Sequence, residues 1–190
     1  MTEWSGDFPR LRQVLAGLEV LPEASSTNDA LRSTVFSDFT AVLSDNQTAG
    51  RGRLGREWAS PPGQGLAFSL LAPQLSPLQR QWLPLAAGAA LVEAARALGI
   101  SETRIKWPND VLVADRKLAG ILCELTSDGR VIVGIGVNID FKGGEPPSER
   151  ATSLADYLQP NHELVDQILS KLIISLRLFC SASEEQAISF

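Results

Sequence analysis

Four apolar segments follow one another closely between Arg104 and Ile139: Arg104–Trp107, Val111–Ala114, Lys117–Leu125 and Arg130–Ile139. The turns between them, at Ala114-Asp115-Arg116 and Ser127-Asp128-Gly129, are far too short for the crossover that parallel neighbours require. The segments are therefore expected to pair as antiparallel hairpins. Upstream, Thr40–Ser44 reads as a strand, and so does Leu66–Leu71, entered from the turn-rich Ser60-Pro61-Pro62-Gly63-Gln64-Gly65.

Helical spacing surrounds this block. Leu11, Val14, Leu15 and Leu18 predict a helix over Pro9–Leu18, with Pro9 suited to a first turn. Ser25-Ser26-Thr27-Asn28 offers capping oxygens ahead of Asp29-Ala30-Leu31. Pro84–Leu98 predicts a buried, alanine-rich helix stopped by Gly99, with Trp82 and Leu83 in an approach turn because proline fits poorly inside a helix. Asn161–Cys180 carries an apolar stripe from Leu164 to Phe179, whereas Lys142–Glu149 is a Gly/Pro-rich loop and Ser181–Phe190 a tail without pattern. The expectation is one α/β (α+β) domain over residues 1–190, a mixed and mostly antiparallel sheet with helices packed on it.

Composition narrows the function classes. Seventeen Lys+Arg against twenty-two Asp+Glu give a net charge of -5. That disfavours general nucleic-acid binding, which draws most of its affinity from neutralising phosphates. Cys123 and Cys180 are the only cysteines, so neither a disulfide framework nor a zinc cluster is expected. Met1–Arg10 has no apolar signal region, and no apolar run reaches the roughly 18 residues of a membrane span, so a cytoplasmic protein is expected. His162, the only histidine, sits at a helix start and reads as a surface residue, which leaves histidine-based hydrolysis without a base.

Four clusters carry candidate chemistry. Gly50-Arg51-Gly52-Arg53-Leu54-Gly55-Arg56 holds three glycines and three arginines, a loop able to approach a phosphate-bearing ligand closely and fork onto its oxygens. A solvated basic loop or an RNA-contacting segment has the same composition. Lys106-Trp107-Pro108-Asn109-Asp110 ends a strand with polar oxygens suited to Mg²⁺, or with ordinary turn chemistry. Lys117 opens a strand that contains Gly120, where an ammonium could meet a developing negative charge or only guard a sheet edge. In Gly134-Ile135-Gly136-Val137-Asn138, two alternate glycines leave a flat slot on one strand face, for a ligand or for tight packing.

Taken in order, Ser26-Thr27-Asn28, Gln47 through Trp58, Lys106 through Asp110, Lys117 through Leu122 and Gly134 through Asn138 closely resemble the catalytic domain of biotin protein ligases, over about residues 20–180. The resemblance implies a class II aminoacyl-tRNA synthetase-like fold. It also implies a two-step reaction: biotin and MgATP form biotinyl-5′-AMP, and a lysine of the biotin carboxyl carrier protein of acetyl-CoA carboxylase then takes the biotin. On this basis Ser26, Thr27, Asn28, Gln47, Gly50, Arg51, Gly52, Arg53, Lys117, Gly120, Leu122, Gly134 and Gly136 are expected at biotin. Arg51, Arg53, Trp58, Lys106, Asn109, Lys117 and Asn138 are expected at ATP, Asp110 and Asn138 at Mg²⁺, and Lys117, Arg53 and Asp110 in catalysis. The N-terminal DNA-binding module of repressor-type members and the C-terminal SH3-like module usual in the family are not expected from this sequence, so no DNA partner is expected, while the resemblance allows a homodimer without fixing the oligomeric state. Lipoate or octanoate ligation on the same fold, and a non-catalytic biotin- or nucleotide-binding relic, are the alternatives.

Overall fold

The computed structural model describes residues 7–32, 35–141 and 144–188. Met1–Gly6, Lys142, Gly143, Ser189 and Phe190, on which parts of the N-terminal, loop and tail expectations fall, lie outside them. In chain order the elements are α1 (Pro9–Val14), β1 (Gly17–Leu21), α2 (Thr27–Arg32), β2 (Thr40–Ser44), β3 (Gln47–Arg51), β4 (Glu57–Ser60), β5 (Gly65–Ala72) and α3 (Pro77–Arg96). There follow β6 (Thr103–Lys106), β7 (Asp110–Val113), β8 (Arg116–Leu125), β9 (Val131–Asn138), α4 (His162–Ser181) and α5 (Glu184–Ile188). Seven strands form one sheet in the order β1-β2-β5-β9-β8-β7-β6, and β3 and β4 form a separate ribbon. Only β1 and β2 pair in parallel, so the sheet is mixed and mostly antiparallel.

The two faces of the sheet are covered unequally. One face presents Leu43, Phe68, Leu70, Val133, Ile135, Val111 and Ile121 to the helices, and with Leu83, Leu91, Leu172 and Leu176 these form the main core. The other face carries a small cluster of Leu31, Val42, Leu71 and Ile132 under α2, and otherwise the β3–β4 ribbon. The functional pocket opens on this second face, beside α2.

Local chemistry explains where the elements fall. Asn161 accepts a hydrogen bond from the Leu164 amide (2.8 Å) and starts α4, whose stripe buries Val165, Ile168, Leu169, Leu172, Ile173 and Leu176. α3 begins seven residues before Pro84, because Ser76 and Gln79 form a reciprocal capping box and Pro77 occupies the first turn. Pro84 therefore stands inside the helix. The loss of its backbone donor is outweighed by burial of Leu83, Ala86, Ala87, Ala90 and Leu91. α1 stops at Val14, and Gly17–Leu21 instead forms an edge strand beside β2. The tail contains the short helix α5. His162 is half-buried, its ring 4.0 Å from that of Phe8 and far from the pocket face.

Candidate active site

Strand register builds the pocket floor. Ala67 on β5 lies opposite Gly136 on β9, Gly136 opposite Gly120 on β8, and Gly120 opposite Asp110 on β7. One row across four strands thus carries almost no side-chain bulk until Asp110. The neighbouring row runs Ser69, Gly134, Leu122. The glycines leave room that other side chains fill. A β-carbon on Gly136 would collide with the Trp58 indole, one on Gly120 would stand 3.0 Å from Trp58 Cζ3, and one on Gly134 would collide with the Asn28 amide.

A register shift between Val111 and Leu112 of β7 brings Leu112 opposite Lys117. Such bulges re-aim side chains. Lys117 runs over Gly120 and places its Nζ 2.7 Å from Asp110 Oδ1 and 5.4 Å from the Trp58 ring centroid. Both partners are partly buried, so the ammonium is held between a carboxylate and an aromatic face. Asp110 is itself positioned by Asn109, whose Nδ2 donates to the Ile121 carbonyl at 2.9 Å and whose carbonyl accepts from the Ile121 amide.

The polar end of the pocket is a connected network. Gln47 Oε1 accepts from the Thr27 amide (2.9 Å) and Thr27 Oγ1 (3.2 Å). Ser69 Oγ lies 2.7 Å from Thr27 Oγ1 and 2.6 Å from Asn28 Oδ1. Asn28 Nδ2 donates to Glu124 at 2.6 Å. Ser26, Thr27, Asn28 and Gln47 are all buried, as polar groups are when they are satisfied and fixed.

The Gly/Arg segment is a ribbon rather than a loop. Gly50 and Arg51 pair with Trp58 and Glu57, and a 3-10 turn over Arg53–Gly55 forms the tip, with Leu54 at φ 59° and 89% exposed. Arg51 forks onto Asp29, and Arg53 reaches Asn109 Oδ1 at 3.4 Å.

Around a cavity of about 130 Å³ the structure brings together Ser26, Thr27, Asn28 and Gln47 with Arg51, Gly52, Arg53 and Trp58 of the ribbon. The sheet supplies Asn109, Asp110, Lys117, Gly120, Leu122, Gly134 and Gly136. Three expected residues stand elsewhere. Gly50 lies behind the wall, packed on Gln47 and the Trp58 carbonyl. Lys106 is exposed at the end of an edge strand. Asn138 directs its amide nitrogen at the carbonyls of Lys117 (3.0 Å) and Thr152 (2.9 Å) and lines a separate cavity with Gln64 and Phe141. Asp110 and Asn138, expected together at Mg²⁺, line different cavities: the carboxylate is paired with Lys117, and the amide pins backbone carbonyls. No group of three His, Cys, Asp or Glu able to hold a metal occurs among the described residues. Sequence reasoning does not single out Ser69, a polar residue in an otherwise apolar strand, nor Glu124 and Asp29, which hold Asn28 and Arg51.

This fold and site define a class II synthetase-like α/β domain with a cationic, glycine-floored pocket. The family model for the biotin/lipoate A/B protein ligases matches residues 20–141, and the chain belongs to that family. It is 38% identical over 143 residues to the bifunctional ligase/repressor BirA of Escherichia coli, covering 69% of this chain and 44% of that protein. It is 38% identical over 148 residues to the biotin--[acetyl-CoA-carboxylase] ligase of Mycobacterium tuberculosis, covering 73% of this chain and 55% of that one. The biotin protein ligase of Aquifex aeolicus in complex with biotin and ATP superimposes with a TM-score of 0.77 at 35% identity, over 90% of this chain and 75% of that chain. The chain spans about half the length of the curated relatives it matches.

Proposed function

We propose that this domain is a biotin protein ligase that activates biotin with MgATP and transfers it to a lysine of a biotin carboxyl carrier protein. The observation that carries the proposal is Lys117, held by Asp110 beside Trp58 over the glycine floor, facing the arginine ribbon. Relatives and solved structures named as biotin ligases support it.

In the first step a biotin carboxylate oxygen bonds to the α-phosphorus of ATP, and the bond to pyrophosphate breaks. Two anions must meet, and Lys117, Arg53 and Arg51 at the pocket wall lower that repulsion. Asp110 keeps the Lys117 ammonium aimed, while Asn109 fixes the turn that carries Asp110. Ser26, Thr27, Asn28 and Gln47 offer the donors and acceptors that a buried ureido ring needs. Mg²⁺ belongs to the nucleotide substrate in this scheme and brings its charge on the phosphates. In the second step the acceptor lysine nitrogen attacks the acyl carbon, AMP leaves, and an amide forms with loss of a proton. The described residues serve as the catalytic domain, a homodimer is part of the proposal, and a cytoplasmic location suits its carrier. No helix of the described residues is long and apolar enough to cross a membrane.

Incubation with biotin, ATP and Mg²⁺, followed by mass detection of biotinyl-5′-AMP, tests the first step, and an added carrier domain tests the second. Replacing biotin by lipoate or octanoate separates the sister chemistry that the family description includes. Formation of lipoyl-AMP alone, or ligand binding without any adenylate, would overturn the biotin reading.

A further inference from the structure

Beyond the pocket wall, two carboxylates and two arginines interlock. Arg51 donates Nη1 to Asp29 Oδ2 (2.7 Å) and Nη2 to Asp29 Oδ1 (2.6 Å), a bidentate fork. Asp29 Oδ1 also accepts from Arg32 Nη1 at 2.9 Å. Glu124 on β8 closes the ring, 3.4 Å from Arg32 and 3.7 Å from Arg51, and accepts from Asn28. The four charges sum to zero, and they tie three elements together: the end of β3, the helix α2 and the sheet. Arg51 is the last residue of β3 before the ribbon tip. Arg53, two residues on, meets the neutral Asn109 oxygen and has no ion pair among the described residues.

We infer that Asp29 is a positioning residue: by holding the Arg51 guanidinium it fixes the root of the arginine ribbon over the pocket. Asp29 does not line the cavity. It acts through Arg51, and Glu124 backs it from the sheet. A planar fork held at two oxygens fixes direction as well as distance, which a single contact to a lysine would not. With the root anchored, only the tip from Gly52 to Arg56 moves to admit or release a ligand. With the root loose, the whole ribbon swings, and an activated intermediate beneath it escapes. This consequence rests on the ligase reading, whereas the anchoring does not.

The test uses the full chain as wild type, Asp29→Asn, Asp29→Glu and Arg51→Lys. Limited trypsin digestion, read by mass spectrometry at Arg51, Arg53 and Arg56, reports the ribbon and needs no activity. Asp29→Asn and Arg51→Lys are expected to speed cleavage there at least about fivefold, and Asp29→Glu to stay near wild type, since it keeps the charge pair. Salt should raise wild-type cleavage toward the Asp29→Asn value and raise that variant's cleavage less, because ion pairs at this exposure are screened and Glu124 still faces Arg51 and Arg32 in the variant. With biotin and MgATP, Asp29→Asn should form the adenylate at a rate within about threefold of wild type and release several times more of it to solvent. Equal cleavage in wild type and Asp29→Asn, or wild-type retention of the adenylate by Asp29→Asn, would overturn the inference. If wild type makes no adenylate, the ligase reading fails, and the digestion and its salt dependence still decide the anchoring.

Discussion

The Trp58 indole fills the space that a side chain on Gly136 would need, covering the glycine row of the pocket floor. The cavity left over the floor is about 130 Å³, and a neighbouring cavity of about 530 Å³ shares Arg51, Gly52, Arg53, Asn109 and Leu122 with it. A ligand that lies on the glycine floor must therefore shift this ring. Biotin is therefore expected to change tryptophan emission, and Trp58→Phe to remove most of that change although Trp4, Trp82 and Trp107 remain. Gly136→Ala should force the ring off the floor and destabilise the domain by about 1–3 kcal/mol, as overpacking does. Unaltered emission on saturation, or a neutral Gly136→Ala in denaturant unfolding, would contradict this arrangement.

Both cysteines are partly buried among apolar side chains. Desolvation pushes the Cys123 thiol up to about 12, with Cys180 and Glu124 adding to it, and pushes Cys180 up to about 12 as well. At pH 8 a thiol of that kind is ionised some thousandfold less than an ordinary one, so iodoacetamide should leave both unmodified in the folded protein and label both after denaturation. Rapid native labelling of either would show that the packing around it is wrong.

Acid should unfold the domain through identifiable carboxylates. Hydrogen bonding by Arg51 lowers Asp29, Arg130 and Thr126 hold Asp128 at about 2, and Thr152 lowers Asp156. Each folded value lies below the unfolded value near 3.9, so each group stabilises the fold fully above about pH 4 and loses that contribution as pH falls toward 2. The unfolding midpoint in urea should be flat from pH 8 to 5 and fall steeply below 4. Asp156→Asn should lower the plateau and blunt the fall; a midpoint unchanged down to pH 2 would refute the assignment.

Much of this was legible in the sequence, and the exceptions have physical causes. The hairpins β6 to β9 announce themselves through short turns between apolar runs, and α4 through an unbroken stripe under an asparagine cap. β1 does not, because a half-exposed edge strand keeps no clean alternation. The start of α3 was hidden by Pro84, although Ser76 and Gln79 were the stronger signal. In the site, the motif residues converge, but the contact between Lys117 and Asp110 depends on a bulge that no spacing reveals. Asn138 reads from sequence as an amide directed at phosphate or Mg²⁺; its two carbonyl acceptors show it as a brace. The Asp29–Arg51 fork joins residues 22 apart through tertiary packing and left no local trace.

The claim at the centre is that Lys117, braced by Asp110, draws a biotin carboxylate onto the α-phosphate of ATP. Biotin-dependent exchange of labelled pyrophosphate into ATP measures that step alone. Wild type should exchange label only when biotin is present, and Lys117→Ala should lose about 10²–10³-fold while remaining folded. Folded wild-type protein that exchanges no label with biotin, or a Lys117→Ala variant that exchanges as fast as wild type, would contradict the account.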